Sequence, residues 1–173
     1  MKSRITIFII LLLTISACTK DEPYFRLSSF EAPIVTGYYM RDLIGRPIGT
    51  IGVPNIKLGN KSNSPGSEYF MEAYPNPCIN FCSIAINTPD GGETKKIWLT
   101  RANASDEFAN SSQFLNMNNI NIGGSPIYQL EFTGNHLALD LSKFDDGYYR
   151  IYLKINEITL YDNLVIYKNL KTN

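Results

Sequence analysis

From Cys82 onward the chain repeats one pattern: a short run of alternating apolar and polar residues, a turn, then another run. Cys82, Ile84 and Ile86 alternate with Ser83, Ala85 and Asn87. Ile97 and Leu99 alternate with Lys96, Trp98 and Thr100. Tyr128, Leu130 and Phe132 alternate with Gln129 and Glu131. Leu137, Leu139 and Leu141 alternate with His136, Ala138 and Asp140. Tyr149, Ile151, Leu153 and Ile155 alternate with Tyr148, Arg150, Tyr152 and Lys154. A period of two puts successive side chains on opposite faces, so each run is a half-buried antiparallel strand. Pro89-Asp90-Gly91-Gly92 and Thr133-Gly134-Asn135 supply turns between runs. Asn156-Glu157 is a two-residue hairpin loop, after which Ile158 to Tyr167 returns. Several short strands separated by turn signals predict an all-β antiparallel sandwich.

The rest of the chain reads less clearly. Eleven Tyr and nine Phe agree with a strand-rich fold. Residues 24–72 are expected to be β-rich: Ile34 to Met40 is a strand candidate, and Gly45, Pro47, Gly49, Gly52 and Pro54 then break the chain every few residues. Asn60 to Ser67 is polar throughout and predicts a loop. Only Ser105 to Met117 offers room for a helix, with Phe108, Phe114 and Leu115 as anchors, although its Asn and Ser content suits a loop equally.

The N-terminus carries a different signal. Lys2 and Arg4 precede an apolar block, Ile7 to Leu13, and two small residues, Ser16 and Ala17, precede Cys18. The block is too short to span a bilayer, which takes about 20 apolar residues. A charged, an apolar and a small-residue region in that order mark a processing signal. Ile15-Ser16-Ala17-Cys18 resembles the signal of bacterial lipoproteins, and that resemblance implies that residues 1–17 are removed and that Cys18 carries lipid as the mature N-terminus. Residues 18–23 form a charged, proline-ended tether. Lys20, Asp21 and Glu22 resemble the surface-export tag of Bacteroidetes lipoproteins, which implies an outer-membrane protein facing the cell exterior. Removing residues 1–17 leaves 14 Lys and Arg against 16 Asp and Glu, a net charge of −2. That balance excludes the basic footprint of a nucleic-acid partner.

Residues 73–168 carry a second likeness. Tyr74-Pro75-Asn76-Pro77 opens the segment. It closes with Leu139 to Tyr149, a hairpin and a last strand. This resembles the C-terminal sorting domain of type IX secretion cargo, with Gly147 and Tyr149 at the family's Gly and Tyr. Tyr148 stands where the family has an aliphatic residue, and Ala102 to Pro126 is longer than its pattern. The resemblance implies an immunoglobulin-like β-sandwich of about seven strands. Because a lipidated chain already has a route to the membrane, the module is expected to be a structural domain rather than a secretion signal.

Chemistry is sparse. Cys78 and Cys82 would lie about 13 Å apart in a straight strand, too far to bridge; a turn at residues 78–81 would allow a disulfide. Two thiols four residues apart make a poor metal site. Gly45, Gly49 and Gly52 lack the Lys-Ser/Thr of a phosphate loop, and no cofactor is expected. His136 is the only histidine, and alternation places it on an outward face with no nucleophile elbow nearby. Asp145-Asp146-Gly147 lacks the alternate acids of a calcium loop and predicts a turn. Glu68, Glu72 and Glu131 cannot be paired from sequence into the two carboxylates of a glycosidase. Trp98, Tyr148, Tyr152, Tyr161 and Tyr167 are candidate outward aromatics, suited to contact with sugars or proteins unless the 24–72 segment covers them. The expected role is therefore a non-enzymatic, membrane-anchored envelope lipoprotein that binds a partner or serves structurally. A glycan-binding surface protein would instead need Trp98 and the tyrosines to form a flat platform. An enzyme would need acids gathered around His136.

Overall fold

The computed structural model describes residues 31–60, 69–111 and 124–168. The signal, Cys18 and the tether, nearly all of the polar loop from Asn60, and Phe114 and Leu115 lie outside the described residues. The elements in order are β1 (Ile34–Val35), β2 (Gly37–Arg41), β3 (Pro47–Gly52), β4 (Phe70–Tyr74), β5 (Phe81–Asn87), β6 (Lys95–Ala104), α1 (Asp106–Ser111), β7 (Pro126–Phe132), β8 (His136–Asp140), β9 (Gly147–Ile155) and β10 (Ile158–Ile166).

Two antiparallel sheets face each other. The larger runs β7–β6–β9–β10, with β1 added in parallel beside the end of β6. The smaller runs β4–β5–β8. The inward residues of each run meet in one core. Ile97 and Leu99 of β6, Tyr149, Ile151, Leu153 and Ile155 of β9, and Leu160 and Leu164 of β10 pack against Met71, Ile84, Ile86, Leu139 and Leu141. This is the immunoglobulin-like β-sandwich. β9 and β10 join through Asn156-Glu157, with Asn156 at φ 51°, the left-handed backbone that a two-residue hairpin demands and Asn tolerates.

The strand expected over Ile34 to Met40 splits at Thr36 into β1 and β2. β2 and β3 make a separate hairpin that lies across one end of the larger sheet's outer face. There Val35, Tyr38, Phe108, Ala102, Tyr148 and Val165 form a second cluster. The helix expected in the long connection begins at Asp106: Ser105 Oγ accepts the Phe108 amide (3.3 Å), and Asp106 and Glu107 occupy the positive first turn. It drops Phe108 onto Tyr38 and Tyr148 edge to face, with centroids 6.2 and 5.4 Å apart.

β4 starts at Phe70 and pairs with β5 along its length. The strand thus straddles the boundary expected between residues 72 and 73, and the N-terminal segment and the sandwich are one packed body. Three ties hold them. Arg41 of β2 donates to Asp162 Oδ2 of β10 at 2.7 Å, with both side chains buried, and to the Ala73 carbonyl of β4 at 3.0 Å. Asn76, fully buried in the Tyr-Pro-Asn-Pro motif, donates to the carbonyls of Tyr39 and Asn163 and accepts the Val165 amide. Its backbone also exchanges both hydrogen bonds with Arg41. The two proline peptides of the motif, Tyr74-Pro75 and Asn76-Pro77, are cis. The motif thus works here as the joint between hairpin, small sheet and β10.

Candidate binding face

The outward residues of the larger sheet form transverse rows because β6, β9 and β10 pair in register. The first row is Lys96, Lys154 and Thr159, the second Trp98, Tyr152 and Tyr161, the third Thr100, Arg150 and Asn163, and the fourth Ala102, Tyr148 and Val165. The hairpin and α1 cover the fourth row. Tyr148 is buried there at 4% exposure, so it is not an outward contact residue, and Tyr167 packs against the same cluster. The alternation of β9 was sound; what it could not show was that a second layer lies over that end of the sheet.

The third row is a polar seam. Arg150 donates through Nε to Asn163 Oδ1 (3.0 Å) and through Nη2 to the Ile34 carbonyl (2.8 Å). Asn163 Nδ2 donates to the Gly37 carbonyl and to Asn55 Oδ1. The seam fastens the hairpin and separates the covered half of the sheet from the open half.

The second row is the aromatic one. Trp98 and Tyr152 stack with centroids 5.0 Å apart and planes 7° apart. Tyr161 follows at 5.7 Å, tilted by 49°, and the Arg150 guanidinium lies 4.9 Å from the Tyr161 centroid. Rings lying flat side by side in one plane meet edge to edge, whereas a near-parallel pair at the short end of the aromatic contact range overlaps face to face. At 5.0 Å the rings of Trp98 and Tyr152 must face each other and stand upright from the sheet. One face of each ring is used on the other, and the rings do not lie flat as a platform for stacking sugar rings would need. All three are half-buried, and an upright row presents ring edges to the outside. Beside it, Lys96 lies 3.8 Å from Glu131 of β7.

Cys78 and Cys82 are free thiols, both buried in the main core. The chain turns between them, so their sulfurs come within hydrogen-bonding reach of each other; that contact first, and burial second, pushes the Cys82 thiol well above its ordinary pKa. Cys78 also donates to the Val165 carbonyl (3.4 Å). His136 is exposed on β8, with Nε2 3.3 Å from Tyr74 Oη, and among the described residues no acid pairs with its ring. Among the described residues no three His, Cys, Asp or Glu side chains are grouped to hold a metal ion. Asp145 and Asp146 belong to a turn: Tyr149 Oη donates to the Asp145 carbonyl (2.7 Å), Arg101 pairs with the Asp145 carboxylate (3.2 Å), and Asp146 accepts the Lys168 amide (3.1 Å).

No family model matches the chain, and no curated protein matches it. Among solved structures, a DUF3244 family protein with an immunoglobulin-like β-sandwich fold from Bacteroides vulgatus is similar, with 9% identity over 63% of this chain and 91% of that one and a TM-score of 0.38. A likeness at that level bears on neither ligand nor role, and the fold stands on the strand pairing given above. No helix among the described residues is long and apolar enough to cross a membrane.

Two features escaped sequence reasoning. Asp162 and Asn163 are adjacent and fully buried in β10, and the alternation of the returning strand assigned them no role. Arg41, the partner of Asp162 from 121 residues away, lies one residue past the strand candidate Ile34 to Met40; Asn163 instead meets Gly37, Asn55 and Arg150. The available signal was a polar pair inside an otherwise apolar last strand, which predicts a partner to satisfy it.

Proposed function

We propose that this chain is a non-catalytic contact module of the bacterial envelope, held at a membrane through lipid on Cys18 and engaging a protein partner with the open half of its larger sheet. The upright row Trp98–Tyr152–Tyr161 carries the reading. Ring edges, the indole N–H and phenol hydroxyls beside Lys96 and Lys154 suit a polar, aromatic-anchored protein contact. They suit the flat faces of a sugar less well, because Trp98 and Tyr152 spend one ring face each on the other. The lipid anchor rests on Ile15-Ser16-Ala17-Cys18, and the surface location on Lys20, Asp21 and Glu22. The likeness to a secretion-cargo sorting domain is read as shared architecture, since Asn76 of its opening motif is consumed in joining hairpin to sandwich.

The test is site-specific photo-crosslinking in intact cells. A crosslinker at Gln129, exposed beside Trp98, is expected to give a discrete adduct that Trp98→Ala abolishes, while a crosslinker at Ala138 on the small sheet gives none. Equal adducts from both faces, or an adduct untouched by Trp98→Ala, would remove the contact reading. Polysaccharide binding lost on Trp98→Ala would move the assignment to a glycan-binding protein.

A further inference from the structure

The β2–β3 hairpin carries large apolar side chains on its outer as well as its inner face, with Thr50 and Arg46 the exposed polar residues among them. Its inner face, with Tyr38, Met40 and Ile51, packs on the second cluster. Its outer face should then be polar, as on any sheet with one solvated side. Instead Tyr39 and Ile48 stand outward at 36% and 61% exposure, and the turn carries Leu43 and Ile44 at 80% and 69%. Val53, at 79%, continues the strip past the end of β3. Large aliphatic side chains gathered on one thin element mark a surface that something covers.

We infer that this strip rests in the headgroup–acyl boundary of the membrane that holds Cys18, an inference that depends on the lipid-anchor reading above. The chain length selects this occupant. Fifteen residues lie between Cys18 and Ile34, so even a fully extended tether keeps the fold within about 55 Å of the bilayer. The hairpin begins one residue after β1, so it is among the first folded elements met on leaving the anchor. The charge at the turn fits as well. Asp42 is the one acid in the loop. Its carboxylate is tied to Arg46 Nε at 2.7 Å and accepts the amides of Ile44 and Arg46, so Leu43 and Ile44 approach lipid with no uncompensated anion beside them. Acyl anchoring of proteins becomes stable when a second membrane signal is added, and the hairpin supplies one.

The probe is the full-length processed protein floated with phosphatidylethanolamine–phosphatidylglycerol vesicles, some lots brominated along the acyl chain. Leu43→Trp in a Trp98→Phe background places a single indole at the turn; Phe81→Trp in the same background places it on an exposed site of the small sheet. Ile48→Trp is the second hairpin position, used if the Leu43 variant loses its thermal transition. At least twofold quenching by brominated lipid at residue 43 or 48, with none at residue 81, is the expected result. Floating protein with no quenching at the hairpin overturns the inference and leaves the anchor standing; crosslinked dimers or a protein adduct through the hairpin would then name the real cover. Protein that does not float overturns both readings.

Discussion

Arg41 and Asp162 offer the sharpest perturbation. The pair is 2.7 Å apart with side chains 4% and 0% exposed, and it ties the hairpin to the last strand of the sandwich. Desolvation raises the Asp162 pKa even though the Arg41 charge opposes it, so burial outweighs the ion pair, as expected where water is excluded. Arg41→Met leaves Asp162 as an uncompensated buried anion, and breaking such a pair from one side costs about 3–5 kcal/mol. For a chain of this size that is roughly 10 °C in melting temperature. Asp162→Asn leaves Arg41 unpaired and should cost a similar amount. The double variant, with neither charge buried, should recover most of the loss, giving a coupling of about 2 kcal/mol or more. Urea denaturation of the four proteins at pH 7 measures this directly. The pH dependence follows from the raised folded-state pKa: the neutral carboxyl favours the fold, and that contribution is complete below the unfolded value and is lost as pH rises through the folded one. In Arg41→Met the cation that lowered the pKa is gone. Its deficit should therefore shrink as the solution is acidified and Asp162 takes up a proton. A single-variant cost below about 1 kcal/mol, or additive variants, would refute the claim that this pair is desolvated and coupled.

Asn76→Ala removes two donated bonds and orphans the buried Val165 amide; a loss of about 2–4 kcal/mol in the same urea assay is expected. Tyr38 has its pKa raised to about 12, first by burial and then by Tyr148. Stability from the neutral phenol is therefore full below pH 10 and lost as pH climbs toward 12, and Tyr38→Phe should flatten the fall in melting temperature measured across that window. Cys78 and Cys82, buried in the core, should resist alkylation in the folded protein and react on unfolding, as mass spectrometry of the two samples would show; modification of the native protein would contradict their placement.

Period-two alternation determined the strands of the sandwich, their faces and the two-residue hairpin at Asn156-Glu157, because solvent on one side and core on the other impose that pattern on any half-buried strand. It also made Trp98, Tyr152 and Tyr161 candidates for outward faces, and the pairing of β6, β9 and β10 set them in one row. Only the tertiary structure decided which rows of that face stay open. Alternation reports the two sides of a strand, and it is blind to a layer contributed by residues far away in the chain, so Tyr148 shared the pattern of Tyr152 yet lies under the hairpin. The same blindness hid Arg41: a buried charge is tolerable only beside a partner, and that partner comes from the far end of the chain. Ring orientation was likewise beyond the sequence. The spacing of paired strands stands Trp98 against Tyr152 face to face, and that stacking decides what kind of surface the row can offer.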